Sequence, residues 1–345
     1  MGGDVRLEVL ERCQGALPGW AGLGVDDFDF DPPKGFSSFT MGVRAKPGVA
    51  ADPPAALYRH LAGKENAILD FGAERETFLL LGQAGIAAHC HRYDDVCRIE
   101  QFFVGRTLTA DDVFDPRVQR GIADELYRFH QLTPDGLPDR TFFELLHEQW
   151  GEIARSVLGQ HRSSFPPDEQ ALCDELTEIY SDVTIAKVLR CLPDRPPVFC
   201  HNDTYHGNVM QLDDGTIRLL DFEFSCRNHI AFDFANLFAE TVMRHGFAEP
   251  PHFEIAEPTF TDADLAALIG YYLDNDDSLS AGQRADESSK LVAETRRALM
   301  LSDYMYAMAA LPLALEPIQK IRFIPYAHQR FHKFLRSWNA EFGDE

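Results

Sequence analysis

The residues of this chain best suited to chemistry lie in one segment, in which acidic and amide side chains follow apolar runs. The run at 197–200 is followed by Asp203, and Asn208 comes five residues later. Two further apolar runs flank an Asp-Gly turn, a strong signal for a β-hairpin, and the second run leads into Asp221. A hairpin of this kind brings Asp203, Asn208 and Asp221 together at one end.

This set of residues fits phosphoryl transfer, which needs a carboxylate for a hydroxyl and oxygen ligands for the Mg²⁺ on the nucleotide phosphates. Kinase-type sites use an Asp, an Asn five residues later, and a metal-binding Asp after the next strand. We therefore predict Asp203 and Asn208 as catalytic residues, and Asn208, Asp221 and Glu223 as metal ligands, with Glu223 supporting a second ion. The alternative is that these residues belong to an ordinary polar loop and a polar strand end. Four positions in the order of a kinase-type site argue against this alternative.

Two stretches make the pattern more specific, namely HNDTYHGNVM at 201–210 and FEFSCRNHIAFDFANLFAE at 222–240. They resemble the choline/ethanolamine kinase family, and weaker matches extend the resemblance over residues 35–335. It implies an α+β, bilobal protein-kinase-like fold, with a small sheet-rich N-terminal lobe at 1–104 and a larger helical C-terminal lobe at 105–345. Residues 1–34 would form a leader segment. The implied reaction is ATP- and Mg²⁺-dependent phosphorylation of the hydroxyl of a small amino alcohol, choline or ethanolamine.

The resemblance also implies a nucleotide site in the N-terminal lobe. A loop of small residues would lie over the phosphates, an Arg would replace the phosphate-pairing Lys of protein kinases, and backbone groups would read the adenine edge. An ordinary turn, a surface Arg and a solvated Glu remain open alternatives at these positions. The implied residues are Ser37, Ser38, Arg59, its partner Glu76, Gln101 and Phe103.

A quaternary ammonium cannot donate hydrogen bonds, so an amine pocket needs aromatic faces and a diffuse negative charge. By resemblance, Asp203 receives the hydroxyl and Glu240 lies near the cation. Core packing is the alternative for each aromatic residue. Ala309 stands where relatives keep a second Trp, which leaves the exact amine open. The matched aromatic positions are Phe224, Tyr306, Phe323 and Tyr326.

Composition narrows the class of partner. The 345 residues carry a formal charge of −23, which argues against binding to nucleic acid or to anionic membranes. Seven scattered cysteines without a C-x-x-C pair fit free thiols in a reducing cytoplasm. No apolar run reaches the length of a membrane span, so we expect no membrane insertion. The oligomeric state is not fixed by the sequence, and a homodimer stays open.

Two rival functions remain at this point. A kinase of another small polyol or amine, such as an aminoglycoside, would share every phosphate and metal residue. A non-catalytic, nucleotide-binding pseudokinase would not need Asp203, Asn208 and Asp221 intact.

The elements that must position the site follow from apolar periodicity and turn signals. We expect a helix that begins at Phe232 and is capped by Asp233, and a proline-punctuated loop at 243–260. The other helices are predicted at 7–17, 72–85, 116–132, 141–158, 167–192, 261–272, 288–311 and 326–338.

Overall fold

The computed structural model describes residues 5–32, 39–61, 74–134, 137, 139–316 and 321–343. Ser37 and Ser38, predicted to cover the phosphates, therefore lie outside the described residues. The chain divides into two compact units, the first of which ends at Gly105 and the second of which contains the residues from Arg106 onward.

The first unit is built on a five-stranded antiparallel sheet with strand order β1-β2-β3-β5-β4. Its core contains Trp20, Val43, Tyr58 and Ile99, all buried. The indole N–H of Trp20 donates to the carbonyl of Pro53 at 2.7 Å, so this large ring is buried with its polar atom satisfied. The elements are α1 Val5–Gln14, β1 Phe28–Phe30, β2 Phe39–Ala45, β3 Ala55–His60, α2 Glu74–Gln83, β4 Cys90–Tyr93 and β5 Cys97–Gln101.

The second unit is mainly helical, with three short sheets of order β6-β8-β9, β7-β10 and β11-β12. Its elements are β6 Gly105–Thr107, α3 Pro116–His130, α4 Phe142–Leu158, α5 Pro167–Ile179, α6 Asp182–Cys191, β7 Val198–Cys200, β8 Val209–Leu212, β9 Ile217–Leu219, β10 Cys226–Asn228, α7 Ile230–Ala239, β11 Met243–His245, β12 Phe253–Ile255, α8 Asp262–Leu273, α9 Ala281–Leu313 and α10 Phe323–Phe342. A sheet-rich first unit and a helical second unit confirm the predicted α+β class.

Helices α4, α7, α9 and α10 bury the largest apolar side chains of the second unit in one core cluster. Trp150, Phe232, Tyr304, Phe331 and Trp338 are all buried there. Their burial fixes α9 and α10 against each other, and these are the helices that carry the predicted aromatic positions of the amine pocket.

Three predicted elements differ from the structure. The helix predicted at 167–192 is two helices, because Tyr180 leaves helical geometry at ψ 88° and Ser181 is extended and precedes the first residue of α6. The loop predicted at 243–260 contains the hairpin of β11 and β12, whose turn includes Gly246 at a φ of 89°. Helix α9 begins at Ala281 after its N-cap Ser280, whereas the sequence placed the start at 288. Its first turns are largely exposed and polar, so apolar periodicity could not reveal them.

The remaining helices agree with prediction to within a few residues. At the start of α4, Glu144 accepts a hydrogen bond from the backbone N–H of the N-cap residue Thr141 at 2.7 Å, as in a capping box. None of the helices in the described part of the chain combines the length and the apolar character needed to cross a bilayer.

Candidate active site

The predicted hairpin forms and sets the geometry of the site. Strands β8 and β9 pair antiparallel, with Val209 opposite Leu219, and Gly215 in the turn has a φ of 87°. The backbone N–H of Leu220 donates to the carbonyl of Asn208 at 2.8 Å. This bond ties the start of β8 to the end of β9, so Asn208 and the residue after Leu220 lie at the same end of the hairpin.

Asp221 is that residue, and its backbone is unusual. Its φ is 61°, in the left-handed region that a non-glycine residue rarely occupies. Asn202, one residue before Asp203, has a φ of 67°. Such conformations are concentrated at functional sites, where the surrounding structure holds them in place.

Both oxygens of the Asp203 carboxylate are held by hydrogen bonds. Oδ1 accepts from the hydroxyl of Tyr306 at 2.6 Å, and Oδ2 accepts from the side-chain Nδ2 of Asn208 at 2.7 Å. The same Nδ2 also donates to the Asp203 carbonyl at 3.0 Å. The structure thus brings Asp203 and Asn208 together with Tyr306, which lies 103 residues after Asp203.

The pKa of Asp203 is raised to about 7, mainly by burial and further by the nearby negative charges of Asp221 and Glu240. The hydrogen bonds from Tyr306 and Asn208 offset part of this rise. Asp203 is therefore a carboxylate poised near neutral pH, as a general base requires.

Asp233 supports this loop from behind, and the sequence analysis misplaced its role. It was expected to cap α7, but α7 begins at Ile230 and Asp233 lies within its first turn. Its carboxylate instead accepts from the backbone N–H groups of His201 at 2.8 Å and Asn202 at 2.7 Å. Oδ2 also lies 3.0 Å from Nε2 of His130, and the side chain is fully buried. The apolar helix 230–239 gave the signal for burial, but nothing in it indicated which backbone groups the acid would bind.

His201 lies behind the loop, and it is buried. Its Nε2 lies 2.9 Å from the carbonyl of Leu220, and its Nδ1 accepts from the backbone N–H of Asp203 at 3.2 Å. A carbonyl can only accept, so Nε2 carries the proton and the ring is neutral. Burial lowers the pKa of His201, which agrees with this assignment. The imidazole therefore links the loop that carries Asp203 to the end of β9.

The amide of Asn208 is oriented by its bonds to Asp203. Both hydrogen bonds that orient its amide use Nδ2, so its Oδ1 is the atom turned away from Asp203. The predicted ligands Asn208, Asp221 and Glu223 would all offer hard oxygen donors, the type that Mg²⁺ prefers. This chemistry fits the predicted metal.

Glu240 lies at the end of α7 in a buried charge cluster that the sequence did not reveal. Its Oε1 accepts from Nη2 of Arg330 at 2.7 Å, and Nη1 of Arg330 donates to Asp303 at 2.8 Å. Lys333 donates to Asp303 at 3.1 Å. The charges of the two acidic groups are therefore balanced by those of the two basic groups. Burial raises the pKa of Glu240, while the guanidinium of Arg330 offsets part of the rise. Helical spacing shows Arg330 and Lys333 on one face, but it could not show that a charged face is buried.

The guanidinium of Arg330 also joins the predicted aromatic positions. It lies 5.3 Å from the ring centre of Tyr306 and 5.1 Å from that of Tyr326, whose hydroxyl accepts from Arg330 Nε at 3.0 Å. Glu240, Tyr306 and Tyr326 therefore surround one resident cation.

Two further predicted aromatics pack against the core, which was the alternative considered for each. Phe323 is buried in the core cluster, and the Phe224 ring is 6.1 Å from that of Trp150. Ala309 is partly buried on α9, three residues after Tyr306.

Of the predicted nucleotide residues that the structure describes, Arg59 and Gln101 lie on the sheet of the first unit and Glu76 lies on its helix α2. Arg59 on β3 is paired across the sheet with Arg98 on β5, and its Nε lies 3.9 Å from Oε1 of Glu100. Sequence reasoning missed Glu100, which is a buried acid on β5. Glu76 is exposed on α2, Gln101 ends β5, and Phe103 follows two residues later.

The chain is similar to known kinases in sequence and in fold. The family model "Choline/ethanolamine kinase" matches residues 42–335. A choline/ethanolamine kinase of Rattus norvegicus is 24% identical over 84% of this chain and 74% of its own length. Among solved structures, a choline kinase from Cryptosporidium parvum superposes with a TM-score of 0.73 at 18% identity, covering 97% of this chain and 95% of that one. An ADP-bound aminoglycoside phosphotransferase superposes with a TM-score of 0.57 at 12% identity, covering 96% and 97%.

Proposed function

Because this chain belongs to the choline/ethanolamine kinase family, it is an ATP:alcohol phosphotransferase, and we propose that Asp203 acts on the hydroxyl of choline or ethanolamine. The observation that carries this proposal is the buried Asp203 carboxylate, held at 2.6 Å and 2.7 Å by Tyr306 and Asn208, with a pKa raised to about 7. A carboxylate with this pKa can orient an alcohol and accept its proton near neutral pH.

Each group of the chain has a distinct part in this proposal. Asp203 accepts the proton of the acceptor hydroxyl, while Tyr306 and Asn208 keep its two oxygens in position. Asn208, Asp221 and Glu223 would hold Mg²⁺, which neutralises charge on the nucleotide phosphates when bound. His201 and Asp233 keep the backbone of the loop in place and touch no reacting atom.

We propose residues 1–104 as the nucleotide-binding lobe and residues 105–345 as the catalytic and substrate-binding lobe. In the first, Arg59 would contact the phosphates, and Glu76 is its predicted partner. The backbone at Gln101 and Phe103 would read the adenine. Ser37 and Ser38 keep the phosphate-covering role that the resemblance gives them.

A nucleotide-consumption assay over choline, ethanolamine, an aminoglycoside and a neutral polyol tests the proposed function. We expect Mg²⁺-dependent ADP release with choline or ethanolamine, and none after Mg²⁺ is chelated. Turnover of the aminoglycoside alone would move the acceptor to the rival class. Nucleotide binding without turnover of any acceptor would support the pseudokinase instead.

The charge cluster at Glu240 gives a specific prediction about the amine. Glu240→Gln keeps an oxygen that can accept from Arg330 but removes the negative charge, so the balanced cluster gains one net positive charge. A positive pocket repels an ammonium group, and we expect the KM of choline and of ethanolamine to rise about tenfold, or ~1.4 kcal/mol. The KM of ATP should change little.

Steady-state kinetics with both amines measure this, and Glu341→Gln is the matched control. Glu341 is an exposed acid on α10 that pairs with Arg297, so its loss should leave both KM values unchanged. An unchanged amine KM in Glu240→Gln would mean that the acceptor is not bound there as a cation.

Ala309 supports a second prediction about the amine. A trimethylammonium group depends on aromatic faces, whereas a primary ammonium can also be held by hydrogen bonds to carboxylates. Ala309→Trp adds an aromatic face one turn from Tyr306, so we expect kcat/KM for choline relative to ethanolamine to rise about tenfold. Competition assays with the two amines measure the ratio, and Ala285→Trp, at an exposed site on the same helix, should not alter it. A ratio unchanged by Ala309→Trp would place this wall of the pocket elsewhere.

We also propose a cytoplasmic location, because all seven cysteines carry free thiols, as expected in a reducing compartment. The homodimer remains a prediction. Light scattering of the purified chain measures the oligomeric state.

A further inference from the structure

We infer that a transition-metal cation of the zinc class binds between α5 and α10, at Glu175, His328 and His332. Neither the catalytic site nor the charge cluster uses these residues. His328 and His332 are four residues apart on α10, so their rings lie on one face of the helix. Glu175 reaches the same point from α5. Two histidines at this helical spacing and a carboxylate form a recurrent zinc ligand set.

The three ligand atoms lie close to one another. Nε2 of His328 lies 2.7 Å from Oε2 of Glu175 and 3.1 Å from Nε2 of His332, and Nε2 of His332 lies 3.9 Å from Oε2 of Glu175. A triangle with these sides has a centre about 2 Å from each corner, which is the usual distance from zinc to histidine nitrogen and carboxylate oxygen. At this centre His332 and Glu175 would lie almost opposite each other across the ion, so their side chains must rotate to reach the tetrahedral geometry of zinc.

Hydrogen bonding alone satisfies this cluster poorly. If Nε2 of His328 carries its proton to Glu175, it has no lone pair left to accept from His332. If both rings carry a proton on Nε2, the two N–H groups face each other at 3.1 Å. A cation at the centre instead accepts a lone pair from each neutral ring and one from the carboxylate. Nitrogen ligands select zinc-class ions over the Mg²⁺ used in phosphoryl transfer.

Other contacts hold α5 and α10 in this arrangement, so the three ligands are preorganised. Arg322, the N-cap of α10, donates to Glu169 at 2.6 Å and to Asp168 at 2.8 Å, both in the first turn of α5. Glu175 follows on the same helix. The side chains of His328 and Glu175 are 20% and 58% exposed, so an ion can enter from solvent and a water can take a fourth position.

The site lies on a different face of α10 from the amine pocket. Arg330, between the two histidines in sequence, is fully buried and points to Glu240 and Asp303. A bound ion would therefore act as a clip between α5 and α10. It would stabilise the fold without entering the proposed reaction.

Zinc titration of the full chain tests the inference, with Zn²⁺ as the probe, excess Mg²⁺ present and nucleotide absent. The double variant His328→Gln/His332→Gln is compared with His89→Gln/His91→Gln, which removes two contacting histidines from the first unit. We expect the first variant to lose one equivalent of bound Zn²⁺ and the second to bind as the wild type does. Zn²⁺ should also raise the melting temperature of the wild type and of the control, but not of the α10 variant.

Glu175→Gln is the third variant, because its exposed side chain can change without endangering the fold. We expect it to weaken Zn²⁺ binding at least tenfold while circular dichroism stays that of the wild type. Equal zinc stoichiometry in the two double variants would overturn the site, as would unchanged affinity in Glu175→Gln. Neither readout involves kinase activity, so the result is independent of the proposed function.

Discussion

Asp203→Asn is expected to abolish turnover and, above pH 7, to make the protein more stable than the wild type. The substitution removes the group that accepts the proton of the acceptor hydroxyl, and loss of a general base lowers kcat about 10²–10⁴-fold. The binding of ATP should be retained, because Asp203 acts on the acceptor.

The gain in stability follows from the pKa of Asp203. Burial, together with Asp221 and Glu240, raises it from 3.8 to about 7. A carboxyl whose pKa is higher in the folded state binds more protons there than in the unfolded state. Its contribution to stability is therefore full below pH 3.8 and is lost as the pH rises through about 7. An amide cannot ionise and does not incur this loss. It can also keep both contacts, by accepting from Asn208 and donating to the hydroxyl of Tyr306.

Thermal unfolding at pH 6 and pH 8, together with kcat at pH 8, measures both effects. We expect a melting temperature about 2–4 °C above that of the wild type at pH 8, and a smaller difference at pH 6. Asp213→Asn, at an exposed position in the turn between β8 and β9, should change neither property. If Asp203→Asn kept most of its kcat, the role given to Asp203 would be wrong. If the variant were inactive but less stable at pH 8, Asp203 would instead contribute net stability through its hydrogen bonds.

The hairpin that carries the site could be predicted because its determinants are local. Apolar runs define β8 and β9, the Asp-Gly turn defines their register, and Asn208 and Asp221 follow from the ends of the strands. The same holds for α4, whose cap and apolar face are both visible in a short window of sequence. Local signals of this kind need no knowledge of what packs against them.

The partners of these residues could not be predicted, because they depend on contacts between distant segments. The hydroxyl of Tyr306 reaches Asp203 from 103 residues away, and Arg330 reaches Glu240 from 90 residues away. Arg330 is fully buried, although an arginine on a helix is normally exposed. Asp233 was misread for the same reason, since an acid in the first turn of a helix is usually a cap or a dipole partner.

Asp233→Ala is expected to have the largest effect on folding of any single substitution in the site. The carboxylate accepts from the backbone N–H groups of His201 and Asn202, and from Nε2 of His130 where that nitrogen carries the proton. Alanine would leave these buried donors without a partner, and each such group costs about 1–3 kcal/mol. We expect the free energy of unfolding to fall by about 3–5 kcal/mol, which is a large fraction of the stability of a typical domain.

Asn is not a substitute at this position. The two backbone donors approach different oxygens of Asp233, so an amide would turn its NH₂ group toward one of them. We therefore expect Asp233→Asn to lose stability as well, by less than Asp233→Ala, and to lose kcat because the loop that carries Asp203 is no longer held on both sides. Urea denaturation followed by circular dichroism measures the stability, and initial rates below the transition measure kcat.

Asp174→Ala is the matched control, because this exposed acid pairs with Arg162 and an exposed pair contributes about 0–1 kcal/mol. A loss in Asp233→Ala no larger than in Asp174→Ala would show that the loop is held by other contacts. Full stability in Asp233→Asn with a large loss of kcat would mean instead that the charge of Asp233, and not its two acceptor oxygens, is what the site requires. Because the two acceptors bind consecutive backbone groups immediately before Asp203, we expect stability and kcat to fall together.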